Sequence, residues 1–285
     1  MSQTLILLNE RAVLLVGGPE AAPFLQGLVT ADISKLEDGG ATHAGLLTPQ
    51  GKILFDFFIV RQGGGFFIDC AASQKQGLMQ RLAMYRLRAD VEIAGRDDLA
   101  VAAGIGRGKP EMDGAIIYPD PRLAQMGWRV IGDAKELAKT AGGSAQAYHE
   151  KRIALGLPDS DSDIGSGEVF PHEADFDQLG GVSFTKGCYV GQEVVSRMQH
   201  RGTARARIVP VIFEAGTPAS GDEIRADGKK IGHILSTAGS KGLALVRLDR
   251  AQKALDSGHA LTAGQTGVHL VKPDWAGFDV PVEGK

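Results

Sequence analysis

Short apolar runs broken by turn residues dominate the first part of the chain. LILLNERAVLLVGG, residues 5–18, reads as two short strands separated by Asn9, Glu10 and Arg11 and closed by Gly17 and Gly18. Pro19 suits the first turn of a helix, and Phe24, Leu25, Leu28, Val29 and Ile33 follow at helical spacing. ILFDFFIV, residues 53–60, is too short and too rich in β-formers for a helix and reads as a buried strand. Gly63, Gly64 and Gly65 turn it into a second strand, FFIDC. Ser73 to Gln76 has the form of a capping box, opening a helix that runs to about Arg88. VEIAG and LAVAAGIG continue as strands. Asp133 to Glu136 opens a short helix stopped by Gly142 and Gly143, and Ser144 opens another ended by Gly156 and Pro158.

The pattern changes after about residue 205. IVPVIF, DEIRA, KIGHILST, LALVRL and VHLVK are short strands separated by Gly, Pro and Asp, with an Asp227-Gly228 hairpin signal between two of them. The fold class is therefore α+β, ending in a small β-barrel, with a boundary between 1–203 and 204–285. Between the two regions, 159–177 carries Asp159, Asp161, Asp163, Glu168, Glu173, Asp175 and Asp177 without a single Lys or Arg. Such a stretch reads as a solvated acidic loop.

Composition narrows the functional classes. With 285 residues, 43% hydrophobic and 23% charged, the chain can bury a core. Its net charge of −3 excludes a globally basic nucleic-acid footprint. Two cysteines, Cys70 and Cys188, cannot build a disulfide framework or a four-thiolate metal site. The seven histidines form no i, i+4 metal pair, so no metal ligand is assigned. GIGRG at 104–108 fails the dinucleotide fingerprint because Lys109 stands where its third glycine should be. The N-terminus has no signal-peptide pattern and no run spans a bilayer, so a cytoplasmic protein without a membrane partner is expected.

The chemistry concentrates in FTKGCYVGQEVVSRMQHR, residues 184–201. Lys186 precedes Cys188 by two positions, and on an extended backbone both side chains project to one side. An ammonium there would favour the thiolate. Arg197, Arg201 and Arg205 recur every four residues, a cationic stripe on a helix, with Arg207 beside it. That stripe suits an anionic tail or, as a lesser alternative, RNA phosphates.

KGCYVGQE at 186–193 resembles the signature of the YgfZ family of folate-binding proteins, relatives of the aminomethyltransferase T-protein of the glycine cleavage system. FLQGLVTADI, LLTPQGKILFDFFIV, RIALGLP and the long block 170–202 resemble further blocks of that family, and IGHILST and GLALVRLD its barrel. The resemblance implies three subdomains in a cloverleaf around a central channel. It also implies a tetrahydrofolate cofactor and a role in assembly or maintenance of iron–sulfur clusters, including those of tRNA-modifying radical enzymes. The implied partners are iron–sulfur proteins or assembly factors. Lys186 and Cys188 match the family's characteristic pair and are the expected catalytic residues.

For the cofactor, Glu173 in PHEA stands where the T-protein pattern places its Glu, and a carboxylate there can accept two pterin N–H groups. Phe184 or Tyr189 would wall the benzoyl ring, and Arg197 would meet the glutamyl tail. Asp56, Gln192 and Glu193 complete the expected binding set. T-proteins carry two adjacent Asp where this chain has Phe55-Asp56, and a different residue where Cys188 stands. Both departures point away from classical aminomethyl transfer. A folate-dependent one-carbon transferase using Asp56 remains the alternative, and whether any substrate is turned over is open.

Overall fold

The computed structural model describes residues 4–106, 108–202 and 204–282. Two antiparallel sheets pack face to face. The first has the order β3 (Ala41–Leu47), β4 (Ile53–Gln62), β5 (Gly65–Ala71), β2 (Arg11–Gly17), β6 (Glu92–Gly95). The second runs β1 (Thr4–Leu7), β7 (Leu99–Ile105), β9 (Trp128–Asp133), β8 (Ile116–Pro119). The two-residue period of a strand explains why β4 reads as a continuous apolar run. Its Phe57 and Ile59 face a core closed by α1 (Ala21–Gln26) and α2 (Lys75–Arg86), where Leu25, Leu78 and Leu82 are buried. Its Phe58 and Val60 face the second sheet, meeting Ile6, Val101, Tyr118 and Ile131. On the far side of that sheet, Ala102 and Val130 pack on Leu137 of α3 (Ala134–Thr140).

A closed six-stranded barrel follows, in the order β10 (Ala206–Phe213), β13 (Lys241–Arg247), β12 (Lys229–Ala238), β11 (Glu223–Ala226), β14 (Thr262–Ala263), β15 (Thr266–Leu270). The hairpin between β11 and β12 turns on Asp227 and Gly228 at φ 49° and 69°, as their pairing foretells. Helix α6 (Leu248–Asp256) packs on the barrel through Ala251. The expected α+β fold with a terminal barrel stands. The expected boundary falls on Thr203, outside the described residues, as does Arg107 of the GIGRG segment.

Several local expectations yield to tertiary contacts. Helix α1 stops at Gln26, because the Leu28–Ile33 run is drawn to the sheet through a bridge between Val29 and Leu46. The capping box at Ser73 does not form. Helix α2 begins at Lys75 without a side-chain cap, and the Ser73 hydroxyl instead donates to Asp161 at 2.5 Å. Asp133 and Ser144 do cap α3 and α4 (Ala145–Ala154).

The acidic stretch 159–177 is not a solvated loop. Asp159, Asp163 and Asp175 are buried. Asp159 faces Arg11 at 3.6 Å, and Asp163 pairs with Arg152 at 2.6 Å. Asp175 and Asp177 both hold Arg207 of β10. These acids lie without cations in sequence because their cations come from β2, α4 and the barrel. The stretch is the clasp between the two sheets and the barrel, and it leads directly into the motif at 186–193.

Candidate functional site

Residues 181–190 form a loop whose base is fixed by the segment 29–31 that follows α1. Thr30 Oγ1 donates to the Gly181 carbonyl at 2.6 Å, and Ser183 N–H donates to the Thr30 carbonyl at 2.9 Å. Lys186 Nζ donates to the carbonyls of Val29 and Ala31 at 2.7 and 2.8 Å and lies 5.3 Å from the Tyr189 ring centre. Between these anchors, Gly187 and Cys188 are exposed. The backbone therefore does not present Lys186 and Cys188 as a pair. The ammonium is turned inward to two carbonyls, the thiol outward to solvent. Lys186 is a clamp for the loop that carries the thiol.

Burial lowers the Lys186 pKa to about 8, against a smaller opposing pull from Asp32. The sign follows from linkage. The folded state binds this proton less tightly than the unfolded chain, so the amine adds stability as pH rises from about 8 toward its ordinary 10.5. Lys186→Met should remove that rise. Denaturant unfolding of both proteins at pH 7.5 and 9.5 reads it as a difference of differences. The subtraction is needed because the buried Cys70 thiol, pushed up to about 12, pulls wild-type stability down above pH 9. A parallel pH dependence in the two proteins would contradict the buried clamp.

Beyond the loop, Gly191 in a left-handed conformation (φ 81°) opens α5 (Gln192–Arg201). A Cβ there would stand 2.6 Å from the Thr48 carbonyl and 3.0 Å from Gly51 Cα. Glycine is required for the motif to approach the β3–β4 turn so closely. Gln192 is half-buried at the start of α5, while Glu193 and Arg197 are exposed.

His172, which the sequence reading passed over, ties these pieces together. Its Nε2 meets Gln199 Oε1 of α5 at 3.0 Å, its ring lies 5.8 Å from that of Phe184, and its carbonyl accepts from Arg207. Burial lowers its pKa, which favours the neutral ring. The only sequence signal was its place beside Glu173. Glu173 itself is half-buried, and its Oε2 accepts the Phe170 N–H at 2.9 Å. Burial raises the pKa of its carboxyl, with Lys52 pulling the other way. A cavity of about 380 Å³ opens alongside, between His172, Met198 and Gln199 on one side and Arg205, Leu248 and Phe278 on the other.

Two expected ligand groups are closed off. Asp56 is buried; its Oδ2 meets His43 Nε2 at 3.2 Å and its Oδ1 accepts from the Ser160 hydroxyl. Tyr189 is buried under Lys186, its hydroxyl pushed up to about 12 by desolvation. The cationic stripe also breaks. Helix α5 ends at Arg201 with Gly202 as its left-handed cap, so Arg205 lies beyond it. Arg207 is consumed by Asp175 and Asp177. That removes the geometric basis of an RNA-binding stripe.

The fold is that of the T-type aminomethyltransferases. The chain superposes on the crystal structure of the glycine cleavage system aminomethyltransferase T from Bartonella henselae with a TM-score of 0.73 at 15% identity, covering 96% of this chain and 86% of that one. Residues 205–278 match the family model described as the C-terminal beta-barrel domain of CAF17. The human mitochondrial iron–sulfur cluster assembly factor IBA57 is 33% identical over 300 residues, 94% of this chain and 84% of that protein. Its Mus musculus counterpart is 32% identical, covering 95% and 85%. This chain belongs to the IBA57 family of iron–sulfur cluster assembly factors. The cytoplasmic expectation is overturned, since these relatives are named as mitochondrial proteins. It rested on the lack of a leader pattern, which says nothing of compartment. Among the described residues, no helix is long and apolar enough to cross a membrane.

Proposed function

We propose that this protein serves the assembly or maintenance of iron–sulfur clusters by offering the Cys188 thiol to a partner, beside a bound tetrahydrofolate. One observation carries the reading: the thiol stands exposed on a loop pinned at its base by Thr30 and Lys186. A thiol needed only for packing would be buried, as Cys70 is. One cysteine supplies one of the four ligands a cluster usually takes, so the remaining ligands come from partner iron–sulfur proteins or assembly factors. The kinship with IBA57 supports this cargo. Radical enzymes that modify tRNA are among the recipients this reading includes.

The residues present fit a folate in part. Glu173 keeps its Oε1 without a partner among the described residues, and Oε2 accepts only one backbone N–H. That carboxylate suits the adjacent N–H donors of a pterin. Phe184, 39% exposed and leaning on His172, offers the benzoyl ring a wall. Gln192 and Glu193 line the start of α5, and exposed Arg197 suits a glutamyl carboxylate. Asp56 and Tyr189 drop out of the set because both are enclosed. A bound tetrahydrofolate would supply a reduced pterin able to carry a one-carbon unit. The enclosure of Asp56 weighs against one-carbon transfer that uses its carboxylate.

Cys188→Ser tests the reading. In cells lacking the protein, the variant should fail to restore the activity of iron–sulfur enzymes. The purified variant should keep its unfolding free energy within about 0.5 kcal/mol, as exposed substitutions usually do, and its tetrahydrofolate affinity within a few-fold. Full rescue by the serine variant would sink the proposal. A large loss of folate binding would place the thiol inside the folate site instead.

A further inference from the structure

Among the described residues four large hydrophobic side chains are exposed, and two of them, Met84 at 67% and Leu87 at 86%, sit three residues apart where α2 ends. Leu87 is also out of place conformationally. It closes the helix at φ 47°, ψ −102°, on the left-handed side of the map that a branched side chain avoids. Glycine would fill that position without strain, and helices commonly end on it. The leucine gives the fold nothing in return, since its side chain lies almost wholly in water. A residue that is strained in the backbone and bare at the tip has its use outside the chain.

The surroundings say what kind of partner would cover it. Arg81, Arg86 and Arg88 flank the two apolar side chains, and none forms an ion pair among the described residues. Arg86 makes one long contact, 3.4 Å, to the Val91 carbonyl. The first acid to follow in the chain is Asp90, whose own N–H is taken by Glu20. The α2 side of the rim, residues 75–89, is thus cationic and free of acids on a chain whose net charge is −3, with exposed Glu20, Asp90 and Glu92 on the far side. A broad polyanion such as an anionic bilayer or RNA would meet the acidic remainder of the surface, whereas a short segment would meet only the rim.

We infer that the Met84–Leu87 end of α2 is a docking surface for an acidic, amphipathic segment of a partner protein. The partner's apolar side chains would cover Met84 and Leu87, and its carboxylates would meet the guanidinium groups. Methionine and arginine are both enriched at such interfaces. The surface lies on α2, outside the loop that carries Cys188, and the inference does not rest on folate binding.

The test uses the full chain and a fluorescein-labelled helical peptide of repeated Glu-Leu-Leu-Glu, read by anisotropy. The peptide should bind wild type in a salt-dependent way. Leu87→Gly should weaken it about tenfold, and Arg81→Ala with Arg88→Ala should flatten the salt dependence. The glycine variant should melt at or above the wild-type temperature, because it relieves the left-handed leucine, so weaker binding cannot be ascribed to unfolding. Cys188→Ser should bind the peptide as wild type does, which separates this surface from the thiol's role. Equal affinity of wild type and Leu87→Gly would overturn the inference. So would Leu87-dependent binding of phosphatidylserine vesicles or poly(U) without peptide binding.

Discussion

Asp69→Asn should cost about 3–5 kcal/mol of stability, the scale of removing one partner from a buried ion pair. That is a large part of the 5–15 kcal/mol that holds a typical domain together. Asp69 lies on β5 between the two sheets and is fully buried. Its Oδ1 accepts from Arg11 Nε at 2.7 Å, and its Oδ2 accepts from Arg129 Nε at 2.8 Å and from the Tyr118 hydroxyl at 3.0 Å. Both guanidinium groups hold its carboxyl below the usual carboxylate range despite burial. Three buried arginines, Arg11, Arg122 and Arg129, are balanced here by Asp69, Asp120 and Asp159. All three guanidinium carbons lie within 5.5 Å of the Phe58 ring centre. Asparagine keeps the shape but removes the charge, and turns an amide donor toward a guanidinium donor. The denaturant midpoint should fall steeply and the soluble yield with it. Separating the exposed Lys139–Glu136 pair should leave the midpoint where it is. A variant at Asp69 that melts with wild type would refute the charge balance.

This centre explains why part of the molecule was legible in sequence and part was not. Strand β4, the caps at Asp133 and Ser144 and the Asp227-Gly228 turn depend on contacts within a few residues, so spacing alone reveals them. The buried ion pairs depend on partners far apart in the chain. Arg11 and Asp69 are 58 residues apart, and Arg129 and Asp69 are 60 apart. Read singly, each such residue is an ordinary surface charge. The motif shows the same division. Its glycines and its cysteine announce a special loop, and the loop is there. The partner of Lys186 could not be inferred from a spacing of two, because the accepting carbonyls of Val29 and Ala31 lie more than 150 residues upstream. His172 was missed for that reason too: its contacts with Gln199, Phe184 and Arg207 exist only once the clasp has folded.

The clasp also sets how the barrel moves with the motif, and Asp163 is the residue on which that coupling turns. One oxygen accepts from Arg152 Nη1 of α4 at 2.6 Å and from the Asp159 N–H at 2.9 Å. The other accepts from the backbone and hydroxyl of Ser236 on β12, at 2.9 and 2.6 Å. A single carboxylate thereby joins α4, the acidic segment and the barrel. Asp163→Ala should leave the Arg152 guanidinium buried without its acid and release Ser236, at about 3–5 kcal/mol. Its signature should differ from that of Asp69→Asn. Asp163 bonds α4 to β12, at the junction where Ile164 also packs with Ile153, Leu235 and Leu243, so loss should begin where barrel and sheets meet. Limited proteolysis should then cut between α5 and β10 before global unfolding, whereas Asp69→Asn should lose both regions in one transition. Iron–sulfur enzyme activity in cells should fall even at temperatures where the Asp163 variant stays folded, because the clasp runs straight into the loop bearing Cys188. Unchanged proteolysis at that junction, together with an unchanged midpoint, would show that the barrel is held by its apolar contacts alone.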